Sequence, residues 1–404
     1  MKIILLDDDP FVLKLLSRQL AGLGFDNVTA LEHPHQALAL LEQDTGAFDM
    51  VLLDLQMPDM DGVEFARHLM RLQYAGGLIL ISGEDRRILH TVEKLANAHR
   101  LRVLGALHKP IATAQLKDVI ERAPQILDRT PGKTYAPDEL QQALTNHELI
   151  NHYQPQVAID SGRVVGVETL VRWQHPRDGL VFPDQFISTA EEHGLIDDLT
   201  RTVLADALQQ ARRWHDAGIP LKVAVNISMD NLVTLDFADY VAHKIEKAGI
   251  PLNSIVLEVT ESRLMKDPLT PLDILTRLRL KNINLSIDDF GTGHSSLAQL
   301  RDIPFDELKV DRGFVHGAHD YAPLRAIVEA SLGMAQHLSM KTVAEGVEDQ
   351  LDWDFLLNTG CDFAQGYFIA KPMPAEELAA WIPAWESQHQ TLVKKMWLFP
   401  RCGG

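Results

Sequence analysis

Along the first 122 residues, short apolar runs alternate with segments whose apolar side chains recur at helical spacing. Residues 2–6 read as a buried strand, after which Val12, Leu13, Leu16 and Leu20 mark the core-facing stripe of a helix. Further strand-like runs at 50–53, 78–81 and 103–107 lead into Asp54, Ser82 and Lys109-Pro110. Strand, helix, strand in repetition predicts a doubly wound, flavodoxin-like α/β domain with ligands beyond the carboxyl ends of its strands. Asp7, Asp8, Asp54, Ser82 and Lys109 gather at those ends. The pattern lapses over 123–137, where Pro124, Pro131, Gly132 and Pro137 predict a linker. Pro137-Asp138-Glu139 then supplies the proline and acids of a helix's first turn.

From 138 to 386, strand-like runs fall at 164–167, 222–225, 254–257, 284–287, 307–310 and 341–343, with weaker ones near His152 and Tyr367. Helical segments such as 199–214 and 324–338 separate them. About eight strand–helix units in some 250 residues predict a (β/α)8, TIM-like barrel. The tail, 387–404, carries Trp397, Leu398 and Phe399, which either dock or fray.

Composition narrows the class. The 404 residues are 46% hydrophobic and 23% charged, an ordinary globular balance for two or three domains. Lys and Arg total 38 against 56 Asp and Glu, a net charge of −18 that repels a polyphosphate backbone and argues against a nucleic-acid partner. No apolar run approaches the roughly 18 residues of a membrane span, and the start does not read as a signal peptide. Two cysteines, Cys361 and Cys402, support no disulfide framework, and a cytoplasmic setting is expected.

The predicted barrel concentrates chemistry. Its strand runs end in Glu168, Asn226, Glu258 with Glu261, Asp288-Asp289, Lys309 with Asp311, and Glu345 with Glu348. Strand ends of one polarity share the barrel's top face, so these groups converge. So many acids repel one another unless cations sit among them, and hard oxygen donors suit Mg²⁺ or Mn²⁺. Asp288-Asp289 can bridge two ions, the usual clamp for phosphodiester cleavage. Two glycines in Asp288-Asp289-Phe290-Gly291-Thr292-Gly293 let the backbone approach metal or phosphate, and Arg172 suits a phosphate. Lys309 reads as a base and water-orienting group with a pKa depressed by nearby metal, rather than as a snorkelling surface lysine. The scattered histidines show no metal-ligand spacing, Cys361 and the stripe Leu13, Leu16 and Leu20 read as packing, and so does Trp173.

These residues stand in motifs. Glu168-Thr169-Leu170, Asn226-Ile227-Ser228, Glu258-Val259-Thr260-Glu261, Asp288-Asp289-Phe290-Gly291-Thr292-Gly293, Lys309-Val310-Asp311, Ala344-Glu345-Gly346-Val347-Glu348 and Gln365-Gly366-Tyr367 resemble those of EAL-type cyclic-di-GMP phosphodiesterases. The resemblance spans about 137–382. It implies hydrolysis of cyclic-di-GMP to the linear dinucleotide pGpG with two Mg²⁺ or Mn²⁺ ions. It further implies that Glu168, Asn226, Glu258 and Asp288 hold one ion, and that Asp288, Asp289 and Glu345 reach the second. Lys309 then orients or deprotonates the attacking water with Asp311 nearby. Glu261 braces the loop 288–296, and Glu348 supports the same pocket. Gln154, Arg172 and Gln365 contact substrate. Thr169 stands where the family usually has alanine, and His294 where it usually has tyrosine; neither removes a ligand. The opposing possibility, a receptor that binds the dinucleotide without turnover, is disfavoured by the full ligand set.

The first 122 residues resemble the receiver domain of two-component response regulators. The resemblance implies that Asp54 accepts a phosphoryl group from a cognate histidine kinase, with one Mg²⁺ on Asp7 and Asp8 and with Ser82 and Lys109 holding the acyl phosphate. Ala106 occupies the position of the family's switch aromatic, so a conventional switch is not expected, and a receiver serving mainly as an assembly surface stays open. A homo-oligomer through the barrel is expected from the resemblance.

Overall fold

Three of the apolar runs near the N-terminus are buried at every residue: β1 (Ile3–Leu6), β3 (Met50–Asp54) and β4 (Gly77–Ser82). Such runs belong to strands covered on both faces. In the computed structural model, which describes residues 1–83, 86–98, 101–127, 135–260, 269–291, 300–301 and 303–398, they form a parallel sheet with β2 (Val28–Leu31) and β5 (Arg102–His108) in the order β2-β1-β3-β4-β5. Alternate residues feed two cores. Ile3, Leu5, Met50 and Leu52 share one with Leu13, Leu16 and Leu20 of α1 (Pro10–Gly22) and Leu116 of α5 (Thr113–Leu127). Ile4, Leu6, Val51 and Leu53 share the other with Leu41 of α2 (Pro34–Gln43), Phe65 of α3 (Gly62–Arg71) and Val92 of α4 (Arg86–Ala98).

Two features depart from the sequence expectation. β2 escaped notice because it is an edge strand with no fully buried residue, so it carries no continuous apolar run. Pro124 does not end α5, which continues to Leu127. A proline within a final turn removes only one backbone donor from a helix about to stop.

The chain divides into two compact units, Met1–Lys133 and Thr134–Gly404. In the second, α6 (Pro137–Thr145) precedes a nine-stranded sheet. Its strands are β6 (Leu149–Ala158), β7 (Val164–His175), β8 (Gly179–Val181), β9 (Lys222–Ile227), β10 (Ile255–Thr260), β11 (Asn284–Phe290), β12 (Glu307–Val310), β13 (Lys341–Ala344) and β14 (Phe363–Ala364). Pairing of β6 with β7 closes eight of them into a barrel, and β8 extends the far end of β7. β6 runs antiparallel to both of its neighbours. The few residues between Ala158 and Val164 cannot hold a crossover helix, and a short link permits only a hairpin. Helices such as α7 (Ile187–Glu192) and α8 (Ile196–Asp216) cover the outside. The last helix, Ala375–Leu398, continues through Pro383 and into the expected tail. Trp385 in it donates to the Gly162 carbonyl at 2.9 Å, which ties the helix to the β6–β7 hairpin.

At the mouth, two loop backbones touch. The Gln365 N–H donates to Ala344 O at 2.9 Å, and Val347 N–H donates to Gln365 O at 3.1 Å. A Cβ on Gly366 would lie 2.2 Å from Val347 O and 2.3 Å from Val347 N, both backbone atoms. We expect Gly366→Ala to destabilise the barrel by about 1–3 kcal/mol, the usual cost of overpacking a close contact, read as a lower urea midpoint of its unfolding transition.

Candidate active site

Side chains alternate across a strand, so Glu168, Leu170 and Arg172 share one face of β7, Gln154 and Gln156 one face of β6, and Glu307 and Lys309 one face of β12. Register then brings groups from distant stretches together. Glu168 lies opposite Gln154, Glu258 beside Asn226, and Asp288 beside Thr260.

Asp288 and Asp289 are adjacent, and on a regular strand they would face opposite ways. The β11–β12 pairing slips between Ile287 and Phe290: Ile287 pairs with Leu308, but Phe290 with Val310. Two aspartates therefore stand opposite Lys309 alone, a bulge that re-aims side chains. Asp289 takes the left-handed backbone (φ 55°), and its N–H donates to Asp288 Oδ1 at 2.9 Å.

Lys309 is the centre of the site. It is fully buried, and its Nζ lies 2.7 Å from Glu345 Oε1, 3.1 Å from Glu258 Oε2, 3.2 Å from Asp288 Oδ1 and 3.3 Å from Glu168 Oε2. Glu168 also accepts from Asn226 Nδ2 at 2.9 Å and from Gln365 Nε2 at 2.5 Å. Gln365 Nε2 reaches Gln154 Oε1 at 3.0 Å, and Gln156 Nε2 donates to Gln365 Oε1 at 3.1 Å. Gln154 in turn donates to the Ala370 carbonyl at 3.0 Å, so the amides form a continuous floor. A cleft of about 320 Å³ opens above it, lined among others by Arg172, Arg312, Glu348 and Tyr367.

Burial and charge oppose each other here. Burial alone would lower the Lys309 pKa, but Asp288, Glu168, Glu258 and Glu345 outweigh it and hold the ammonium well above its ordinary range. For Glu168, burial is outweighed by Lys309 and by the bonds from Gln365 and Asn226, and its carboxyl falls below the usual value. Burial dominates at Glu258, which rises well above the carboxylate range. Burial, with Asp288 and Glu168 adding to it against Lys309, takes Glu345 to about 8. Asp289 rises to about 6 through burial and the charges of Asp288 and Asp311.

The donor set fits hard divalent cations. Glu168, Glu258 and Asp288 present oxygens within 4.8 Å of one another, as do Asp288, Asp289 and Glu345, so Asp288 belongs to both groups. Both Glu258 oxygens are buried and accept no hydrogen bond among the described residues; the Lys309 contact is an ion pair. Oxygen-only donors sharing one bridging carboxylate suit two ions of the Mg²⁺ or Mn²⁺ class.

The first unit repeats the arrangement at smaller scale. Lys109 Nζ lies 2.7 Å from Asp7 Oδ2 and 3.0 Å from Asp54 Oδ1, and the Lys109 N–H donates to the Ser82 carbonyl at 2.8 Å. Asp7, Asp8 and Asp54 bring oxygens within 4.8 Å of one another. Burial raises Asp54 to about 6 against the pull of Lys109.

A family model for the EAL domain matches residues 138–372, and one for the response regulator receiver domain matches 3–121. The chain belongs to the EAL-domain family. The cyclic di-GMP phosphodiesterase RocR of Pseudomonas aeruginosa is 31% identical over 93% of this chain and 97% of its own length. The bifunctional diguanylate cyclase/cyclic di-GMP phosphodiesterase MucR of the same organism is 42% identical over 60% of this chain, which spans 36% of MucR. A solved PaMucR phosphodiesterase in complex with c-di-GMP aligns with a TM-score of 0.57 at 41% identity, covering 60% of this chain and 98% of that one.

Most of the EAL motif residues meet at the barrel mouth as the sequence placed them. Glu261, with Thr292, Gly293 and His294, lies outside the described residues. Asp311 does not line the cleft; its Oδ1 accepts the Gly313 N–H at 3.0 Å, and its charge acts on Asp289. From the sequence a nearby metal was expected to depress the Lys309 pKa; the four carboxylates around the ammonium act by themselves in the opposite direction. Arg172 is buried, held by its own Val171 carbonyl at 2.8 Å and by the Phe182 ring 5.0 Å away. Packing roles hold for Trp173, which is buried and bonded to Glu148 Oε2 at 2.9 Å, and for Cys361, whose thiol burial pushes to about 12.

Gln156, Glu307 and Asp352 are buried polar residues that the sequence reading did not single out. Gln156 and Glu307 sit two residues from Gln154 and Lys309, so strand alternation was the available signal. Asp352 is fully buried, accepts from the Gly317 and Glu348 N–H groups at 3.0 and 3.1 Å, and meets His316 Nδ1 at 2.8 Å. Nothing in the local sequence announces that tie between two loops.

A carboxyl raised on folding contributes stability below its unfolded pKa and loses it as pH rises through the folded value. For Glu345 that window runs from about 4.5 to about 8, so chelator-treated protein should show a barrel unfolding midpoint that declines from pH 5 to pH 8. Saturating Mn²⁺ should flatten the decline; a midpoint rising with pH contradicts the charge balance described.

Proposed function

We propose that this chain hydrolyses cyclic-di-GMP to pGpG by two-cation phosphodiester cleavage, and that its receiver modulates the activity. The observation that carries this reading is the buried Lys309 ammonium ringed by four carboxylates at the mouth of a family-typical barrel. The names of RocR and MucR, and the c-di-GMP bound in PaMucR, support the substrate.

Glu168, Asn226, Glu258 and Asp288 would hold one Mg²⁺ or Mn²⁺, and Asp288, Asp289 and Glu345 the other. Such a pair supplies charge to the scissile phosphate and acidifies the attacking water. Lys309 Nζ, fixed from four directions, orients that water and holds a proton beside it. Arg172, pinned by Phe182, places its guanidinium charge against a phosphate. Gln154 and Gln365 position the substrate while holding Glu168. Glu348 supports the cleft wall. Tyr367, 58% exposed at the rim, offers a face for a base to stack on.

In the receiver, assigned to 1–122, Asp54 accepts a phosphoryl group from a histidine kinase, with one Mg²⁺ on Asp7 and Asp8. Ser82 and Lys109 bind the product phosphate. The phosphodiesterase barrel is assigned to 138–386, and its oligomer forms through the barrel. No helix among the described residues is long and apolar enough to cross a membrane.

The purified chain with Mg²⁺ or Mn²⁺ should convert cyclic-di-GMP to pGpG. Glu168→Gln should lower kcat by roughly a thousandfold, the several kcal/mol that a cation's hold on the transition state supplies. Intact protein that binds the dinucleotide yet yields no pGpG overturns the reading.

Arg172→Ala should raise KM at least about tenfold with a smaller change in kcat, as lost uniform binding does. A small phosphodonor should change the rate in wild-type protein and leave Asp54→Asn unaffected.

A further inference from the structure

Thr169 and Val171 lie one residue out of step with Glu168, Leu170 and Arg172, and so face away from the catalytic cleft. Behind β7 and β9 is a second cavity of about 270 Å³, walled by Ile187, Ile196, Leu199, Val203 and Ile227 and reached by Thr169. Thr169 is 2% exposed, and its Oγ1 is buried without a hydrogen-bond partner among the described residues. Two other hydroxyls that line the space have theirs. Thr200 Oγ1 donates to Asn231 Oδ1 at 3.0 Å, and Ser228 Oγ donates to Glu191 Oε1 at 3.0 Å.

An unpaired buried hydroxyl is costly, and the part of it most in need of a partner is the donor hydrogen. The space far exceeds the roughly 10–15 Å³ that one water requires. Thr200, Asn226, Ser228 and Glu191 also line it, but each is already bonded to a protein group, so Thr169 Oγ1 is left as the hydroxyl in need of a partner beside the aliphatic side chains. A compact apolar body bearing an acceptor meets both demands at once. We propose that this cavity binds a small, largely apolar molecule through one carbonyl oxygen that accepts from Thr169 Oγ1. The site is coupled to the chemistry next door. Asn226 lines the cavity and donates to Glu168 Oε1 at 2.9 Å, while Leu170 lines both the cavity and the catalytic cleft. An occupant that shifts Asn226 shifts a group that holds Glu168.

The test uses the full chain with methyl-labelled isoleucine and valine, titrated with 2-heptanone and followed by NMR. The Ile187, Ile196 and Ile227 methyl signals should move saturably. Thr169→Val, nearly isosteric but without the hydroxyl, should bind about tenfold more weakly, and Thr169→Ser should keep most of the affinity. Val203→Phe, which fills the space, should abolish the shifts while the remaining methyl spectrum of the barrel stays native. Absence of saturable shifts in the wild-type chain overturns the proposal. So does equal affinity in Thr169→Val, or a crystal soaked in 2-heptanone that shows only an ordered water on Thr169.

Discussion

The barrel mouth depends on one ion cluster: the Lys309 ammonium between Glu168, Glu258, Asp288 and Glu345. Taking carboxylates out of water is expensive, and packing four of them together adds mutual repulsion. One lysine inside the cluster makes the arrangement foldable but does not balance it. Burial consequently holds Glu258 and Glu345 toward their protonated forms, while Glu168, best supplied with donors, stays ionised. The resulting demand for positive charge is what suits the site to divalent cations. An ordinary buried ion pair satisfies itself; this one is short of cation by construction.

Two structural devices make that cluster possible. The bulge in β11 turns consecutive aspartates toward the same point, which no regular strand can do. The chain of amides from Gln156 through Gln365 to Glu168 and Gln154 then fixes Glu168 in place from the opposite wall. Because each amide is both donor and acceptor, the network has one consistent orientation, and satisfied polar networks of this kind stiffen a site. Asp352 adds a third brace, joining the backbone at Gly317 to that at Glu348.

The receiver applies the same principle with fewer charges. Lys109 bridges Asp7 and Asp54 at the carboxyl edge of a parallel sheet, and burial again raises a carboxyl, that of Asp54, against the pull of the lysine. Ala106, on β5 opposite Leu80, leaves this unit without the aromatic side chain on which a familiar switch depends.

Much of this was readable in the chain itself. Buried strands announced themselves as unbroken apolar runs, and the acids at their ends marked the edge at which the barrel's carboxylates meet. What repeats locally could be read locally: strand, helix, and the polar residue that terminates each strand. The half-exposed edge strand at Val28–Leu31 left no such trace, and the first barrel strand, legible only as a weak run near His152, gave no sign in the chain that it would run antiparallel. The tertiary structure alone decided how the charges settle. The raised Lys309 pKa follows from four carboxylates drawn from residues 168 to 345, and charges so far apart along the chain act together only when the barrel closes. The hydroxyl of Thr169 illustrates the same limit: its identity is written in the sequence, but its lack of a partner exists only in the folded packing around it.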